Sequence, residues 1–334
     1  MSKNWLKFKA NRRGYYSLII LLTLFSTSLF AEFIASDKPI ILRFDDKIYF
    51  PIFQNITEKE LGGVFETAAD FRDLEVVKLA LENSKNWMIW PPIRFSYDTI
   101  NYDLEKPAPS KPNSQNLLGT DDSARDVFAR TIYGIRISLL FGLILSFLSL
   151  TLAILIGAIQ GYFGGKIDIL GQRFTEIWSS MPVLFLLIIL SSIIQPGFFT
   201  LLLLMLLFSW IGLASIIRAE FLRIKNFDFV LAAKALGASN SRIMFHHILP
   251  NASPIIIANL AFLLSASIIT LTSLDFLGLG MPTGSPSLGE LLSQGKNNIN
   301  AYHLGIVGFS VISIILITLI FVGEALRDTF DSRK

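Results

Sequence analysis

The sequence predicts an all-α polytopic membrane protein with about six transmembrane helices and a small α+β insert after the first. Three observations lead there. Apolar residues make up 52% of the 334 residues and collect in long runs, such as 183–194 (VLFLLIILSSII) and 201–217 (LLLLMLLFSWIGLASII). A hydrocarbon core about 30 Å thick needs roughly 20 apolar residues of helix, and several windows reach that length. Lysine and arginine flank the runs rather than interrupt them. Between the first run and the second lies a stretch of different composition, polar but rich in aromatic residues and proline.

The first expected span, 15–34, follows Lys3, Lys7, Lys9, Arg12 and Arg13. That arrangement resembles a secretory signal, yet the apolar run is long for one. Leu29 also stands ahead of Ala31 where a cleavage site would need a small residue. An uncleaved first helix is therefore expected. Basic residues near span ends favour the cytoplasmic side, which places the N-terminus there. An even number of spans returns the C-terminus, with Arg327, Arg333 and Lys334, to the same side.

Three regions result: 1–35, the N-terminus and first span; 36–130, an extracytoplasmic insert and connector; and 131–334, a core of five further spans. In the insert, 40–53 (IILRFDDKIYFPIF) reads as two short strands around a turn at Asp45-Asp46. Residues 66–85 read as a helix and 103–116 as an extended connector. Trp87, Trp90 and neighbouring Tyr and Phe argue against disorder. The core spans are expected at 136–160, 176–195, 200–217, 254–279 and 303–323. A cytoplasmic loop over 218–252 carries Arg218, Arg223, Lys225, Lys234 and Arg242.

Some chemistries are disfavoured. A net charge of +3 is too small to point to nucleic acid, and the chain has no cysteine for a disulfide or thiolate site. His246 and His247 are adjacent, so on a helix they point about 100° apart and do not readily share an ion; no metal site is expected. No G-x-x-x-x-G-K-[ST] run is present to cradle phosphates.

The most informative segment is 228–250, DFVLAAKALGASNSRIMFHHILP. Asp228 can cap a helix through Leu236, and Gly237 can close it in the left-handed conformation. Ser239 or Asn240 can cap a second short helix expected to end before Pro250. Ala232, Ala233, Ala235, Gly237 and Ala238 offer so little bulk that another backbone can come close. The same small surface can also simply pack against membrane helices.

This segment resembles the E-A-A loop of ABC importer permeases, in which E-A-A, three residues and Gly lead into a run ending in L-P. Ala232-Ala233, Gly237, His247 and Leu249-Pro250 match, while Leu231 stands where many members carry Glu. LGTDDSARDVFARTIYGIRISLLFGL at 118–143, the segment 161–190, LTSLDFLGLG at 271–280, PSLGELL at 286–292 and GEALRDTFD at 323–331 are also similar to the family. Together they identify the C-type permeases of dipeptide and oligopeptide importers over 118–334. The large insert makes the Yej-type permeases of microcin C and peptide importers the nearest subgroup.

The resemblance implies the type I, MetI-like permease fold in the bacterial inner membrane, with the insert periplasmic. It implies a transport subunit, not an enzyme, that takes up peptides by alternating access. Expected partners are a second permease in a heterodimer, cytoplasmic ATPase subunits that use ATP and Mg, a periplasmic peptide-binding protein and the lipid bilayer. The chain itself would bind no cofactor. Asp228, Leu231, Ala232, Ala233, Ala235, Gly237, Ala238, His247 and Pro250 would form the ATPase-docking loop.

Pathway or gating roles fall to Pro182, expected to kink the third span, and to Ser267, Thr270 and Asp275 of the fifth. The hydroxyls can equally bond within the helix bundle, and Asp275 can equally cap or pair near the interface. A channel or secondary transporter would be expected to show inverted repeats or buried charges for ion coupling, and neither is evident. A membrane-anchored periplasmic scaffold would not need the loop.

Overall fold

The computed structural model describes residues 3–81, 85–194 and 197–330. Arg333 and Lys334, two of the expected C-terminal basic residues, lie outside them, as do parts of the expected 66–85 helix and 176–195 span.

In chain order the elements begin with α1 (Lys3–Ala10), α2 (Arg12–Leu29) and α3 (Ala31–Ile34). The strands β1 (Ile41–Phe44) and β2 (Lys47–Tyr49), the helix α4 (Leu74–Leu81) and β3 (Trp87–Ile89) follow. Then come α5 (Val127–Phe163), α6 (Gly165–Ser179), α7 (Val183–Ile193), α8 (Phe198–Ser209) and α9 (Ile211–Ile224). The chain closes with α10 (Asp228–Ala235), α11 (Asn240–Arg242), α12 (Leu249–Phe276), α13 (Leu288–Asn297) and α14 (Tyr302–Phe330).

Four stretches among the described residues are long and apolar enough to cross a membrane: Val127–Phe163, Phe198–Ile224, Asn240–Phe276 and Tyr302–Phe330. They take in the expected second, fourth and sixth spans, each extended at both ends, and most of the fifth, which starts earlier and ends at Phe276, three residues short of the expected 279. The expected third span is different in kind. It is part of a helix pair, Gly165–Ser179 and Val183–Leu190, bent by 60°. The break falls at Pro182, whose ring and missing N–H cannot continue the preceding helix. If this pair is one span, the count is five. The expected first span is helical as α2, but its 18 residues begin with Arg12 and Arg13, and it is not among those four.

The chain divides into two compact units. One comprises the described parts of 1–23, 138–282 and 311–334. Its principal core joins Ile217, Phe221 and Ile224 of α9 to Val230, Ile243, Met244 and Ile248. Here α5 and α9 meet backbone to backbone. A Cβ added at Gly157 would lie 2.6 Å from the carbonyl oxygen of Ala214, and one at Gly161 would lie 2.6 Å from that of Arg218. Small residues four apart permit such a crossing between apolar helices.

The other unit comprises 24–137 and 283–310, more than the expected 36–130 insert. The expected hairpin is present: β1 pairs antiparallel with β2, and Asp45 and Asp46 have φ of 46° and 58° at its turn. Asp and Asn tolerate that left-handed geometry better than most residues. A third strand, β3, not expected from the sequence, pairs antiparallel with the other edge of β1. Leu42, Ile56, Leu61, Phe71, Val76 and Ala80 form the core beneath. The helix expected over 66–85 is confined to Leu74–Leu81. Asp70 accepts from the Arg72 N–H at 2.9 Å and Asp73 from the Glu75 N–H at 2.8 Å. These side chains satisfy the backbone locally and hold off the helix until position 74. Residues 103–116 form neither helix nor strand.

Candidate functional site

The loop between α9 and α12 is a helix, a left-handed turn and a second helix. Phe227 is the cap residue of α10, with extended backbone at φ −75° and ψ 147°. Asp228 is therefore the first helical residue, not the cap expected. A capping side chain must stand on extended backbone to reach back to the free N–H groups. From position 228 the carboxylate instead favours the helix by its charge near the positive end of the dipole.

Gly237 ends α10 at φ +80°. The Ala238 N–H donates to the Ala233 carbonyl at 3.1 Å and the Gly237 N–H to the Lys234 carbonyl at 3.1 Å, the paired bonds of a Schellman closure. Ser239 then caps α11, its Oγ accepting from the Arg242 N–H at 3.4 Å.

The second helix does not stop before Pro250. Residues Ile243–Ile248 widen into a π-helical turn, with the Leu249 N–H reaching back to the Met244 carbonyl, and α12 continues from there. Proline removes one N–H and crowds the preceding turn; a wider turn with i→i+5 bonds accommodates the chain entering it. Asn251 Nδ2 donates to the His247 carbonyl at 2.7 Å.

One face of the loop is anchored and the other is open. Val230 is 2% exposed and Ile243 and Ile248 are fully buried. On the open side Leu231 is 51% and Leu236 89% exposed. Ala232 and Ala235 are exposed as well, and Ala233, Ala238 and His247 are half-buried. Ala232, Ala233, Ala235, Gly237 and Ala238 thus form a small-residue ledge with Leu231 and Leu236 projecting and Lys234 and Arg242 exposed nearby, whereas Asp228 opens the helix, His247 lies in the π turn and Pro250 at the start of α12. Apolar and charged side chains stand side by side on the exposed face of the loop.

The candidate pathway residues lie elsewhere. Ser267 and Thr270 stand 17 and 20 positions beyond Pro250, about 25–30 Å along the helix. Ser267 is buried; its Oγ donates to the Leu263 carbonyl at 2.9 Å and lies 3.3 Å from Ser146 Oγ. Thr270 Oγ1 donates to the Ala266 carbonyl at 2.8 Å. Asp275 Oδ1 accepts from the Met281 N–H at 2.7 Å, closing the turn that follows α12.

A buried ionic network escaped the sequence reading. Arg130 and Asp121 are fully buried. Arg130 Nη2 donates to Glu290 Oε2 and to the Ser285 carbonyl, both at 2.8 Å, and Nη1 donates to the Tyr97 carbonyl at 3.2 Å. Arg125 Nε donates to Asp121 Oδ2 at 2.8 Å. Burial raises the carboxyl pKa of nearby Asp126, opposed by a bond from Asn116 Nδ2 at 2.8 Å. The signal available was charge in two similar motifs, 118–130 and 286–292, with Arg130 just inside an apolar helix. Among the described residues no cluster of three or more metal-ligating side chains occurs.

Comparison with known proteins fits this architecture. Residues 153–334 match the family described as the binding-protein-dependent transport system inner membrane component. An inner membrane ABC transporter permease protein, YejE, of Escherichia coli (strain K12) is 53% identical, covering 99% of this chain and 96% of its own. The peptidoglycan transport system permease protein YejE of Agrobacterium fabrum is 51% identical over 99% of this chain and 93% of its own. The oligopeptide transport system permease protein OppC of Bacillus subtilis is 35% identical over 72% and 78%. An inward-facing structure of the MetNI methionine ABC transporter shares the fold at a TM-score of 0.51 and 15% identity, covering 60% of this chain and 96% of that one. The chain belongs to the family of binding-protein-dependent inner-membrane ABC transporter permeases.

Proposed function

We propose that this chain is one of two permease subunits of an ATP-driven importer that carries peptides inward across the bacterial inner membrane by alternating access. The observation that carries the reading is the ledge at 228–238: small residues on an exposed helix, closed by a left-handed glycine and anchored beneath by Val230. It offers a cleft-filling shape to a cytoplasmic ATPase, which would bind and hydrolyse ATP with Mg. Closure of the ATPases would draw the two loops together and open the pathway outward. A periplasmic binding protein would deliver the substrate, and both chain termini would be cytoplasmic.

The peptide class is supported by the names of the relatives, which include an oligopeptide and a peptidoglycan permease. Oligopeptides, microcin C-like peptides and peptide-bearing wall fragments all belong to that class. Gly237→Asp and Ala233→Trp are expected to abolish uptake of a labelled tripeptide and co-purification of the ATPase while leaving membrane insertion intact. Retention of both in those variants would overturn the docking role.

A further inference from the structure

Arg218 of α9 occupies two contacts at once. Its carbonyl lies against Gly161 in the α5–α9 crossing. Its guanidinium forks onto Asp168 of α6, with Nη2 2.6 Å from Oδ2 and Nε bonded to Oδ1. Both side chains are largely buried, 21% and 13% exposed. A bidentate pair of this kind fixes orientation as well as distance.

The loop is tied to the same place. Lys225 Nζ donates to the carbonyls of Gly161 and Tyr162 at 3.0 and 3.3 Å, at the end of α5. The Tyr162 hydroxyl donates to Asn240 Oδ1 of α11 at 2.8 Å. Val230 packs into the core shared with Phe221 and Ile224. At the far end of α6, beside the 60° bend, Trp178 Nε1 donates to the Leu207 carbonyl at 2.9 Å. So α6 is held at both ends, at Asp168 by α9 and at Trp178 by the end of α8, with the bend beyond.

We propose that the Arg218–Asp168 pair is the positioning link through which movement of the 228–250 loop reaches the bent helix pair 165–193. The proposal rests on the docking role of that loop. Displacing the loop carries α9 with it, because Val230, Lys225 and Asn240 bind it to the α5–α9 crossing. The fork passes the displacement to the start of α6. Trp178 then acts as a fulcrum, and the break at Pro182, where helical hydrogen bonds are already missing, is where the pair yields.

The test uses the whole importer complex in lipid nanodiscs. The chain has no native cysteine, so nitroxides at Leu170→Cys and Ile189→Cys, both exposed positions, report the bend alone. In the wild-type background, ATP–Mg with vanadate is expected to shift their separation by roughly 2 Å or more, the scale of helix movements in switching proteins. Asp168→Asn is expected to abolish the shift, although the ATPase still binds. Tripeptide uptake should fall about tenfold, within the usual range of coupling between sites. Arg218→Lys keeps the charge and loses the fork, and is expected to give the same two losses; it is the variant to read if Asp168→Asn does not assemble. No shift in the wild-type background, or a full shift in assembled variants, would overturn the link. Undiminished ATPase binding by Gly237→Asp would count against the loop's docking role instead.

Discussion

Arg130 and Glu290 stand 160 positions apart in the chain and meet at 2.8 Å. Around them Asp121 and Arg130 are fully buried, and Arg125 holds the same carboxylate. Burying Asp121, Arg125 and Arg130 beside a partly buried Glu290 is tolerable only because each charge finds a partner. Removing one partner leaves the others in a medium that solvates them poorly. Arg130→Met is therefore expected to destabilise this unit by about 3–5 kcal/mol. Glu290→Gln, which leaves most of the bonds in place, should cost less, about 1.5–3 kcal/mol. Thermal unfolding of the detergent-solubilised complex would rank the two; the reverse order would remove Arg130 from the centre of the network.

Gly161→Leu places a side chain where a first carbon alone would come 2.6 Å from the Arg218 carbonyl. A backbone atom cannot swing aside, so α5 and α9 must separate. Overpacking of this kind costs about 1–3 kcal/mol or more. The expected result is loss of assembled complex with little change in membrane insertion, read by pull-down against total membrane protein.

The turn at Gly237 allows a graded test. An L-residue in the left-handed conformation costs roughly 1–2 kcal/mol, and asparagine pays less than most. ATPase co-purification is expected to fall in the order Gly237, Gly237→Asn, Gly237→Val. Equal recovery of all three would mean that the φ of +80° has no bearing on docking.

In the insert, Leu42 is fully buried on the central strand. Leu42→Ala is expected to cost about 2–5 kcal/mol locally and to expose 40–90 to limited proteolysis. A digestion rate unchanged from wild type would show that this core does not hold the insert together.

Hydropathy and charge placement make the membrane class and the loop legible, because both depend on residue type and local spacing. Gly237 is readable for the same reason, since a left-handed helix end favours one residue. Elements settled by the exact backbone conformation, or by a distant partner, are not readable. Asp228 looks like a cap until Phe227 takes the extended backbone. Pro250 looks like a helix end until a π turn absorbs it. Arg130 pairs with residues more than 150 positions away, and no local pattern announces that. The third span is legible in part: Pro182 announces the kink that the 60° break realises, but an apolar run does not reveal that the preceding helix of the pair begins as early as Gly165.

The π turn before Pro250 has one more consequence. Because it lets the helix pass the proline unbroken, Asn240–Phe276 is a single 37-residue rod, about 55 Å long. A rod of that length is a lever. Tilted by 5° about its middle, each end would sweep about 2.4 Å, a displacement comparable to the helix shifts seen in switching proteins. A few degrees of push at Asn240 would then suffice to move Asp275 by as much in the opposite direction, so far as the π turn and the prolines at 250 and 254 transmit the tilt.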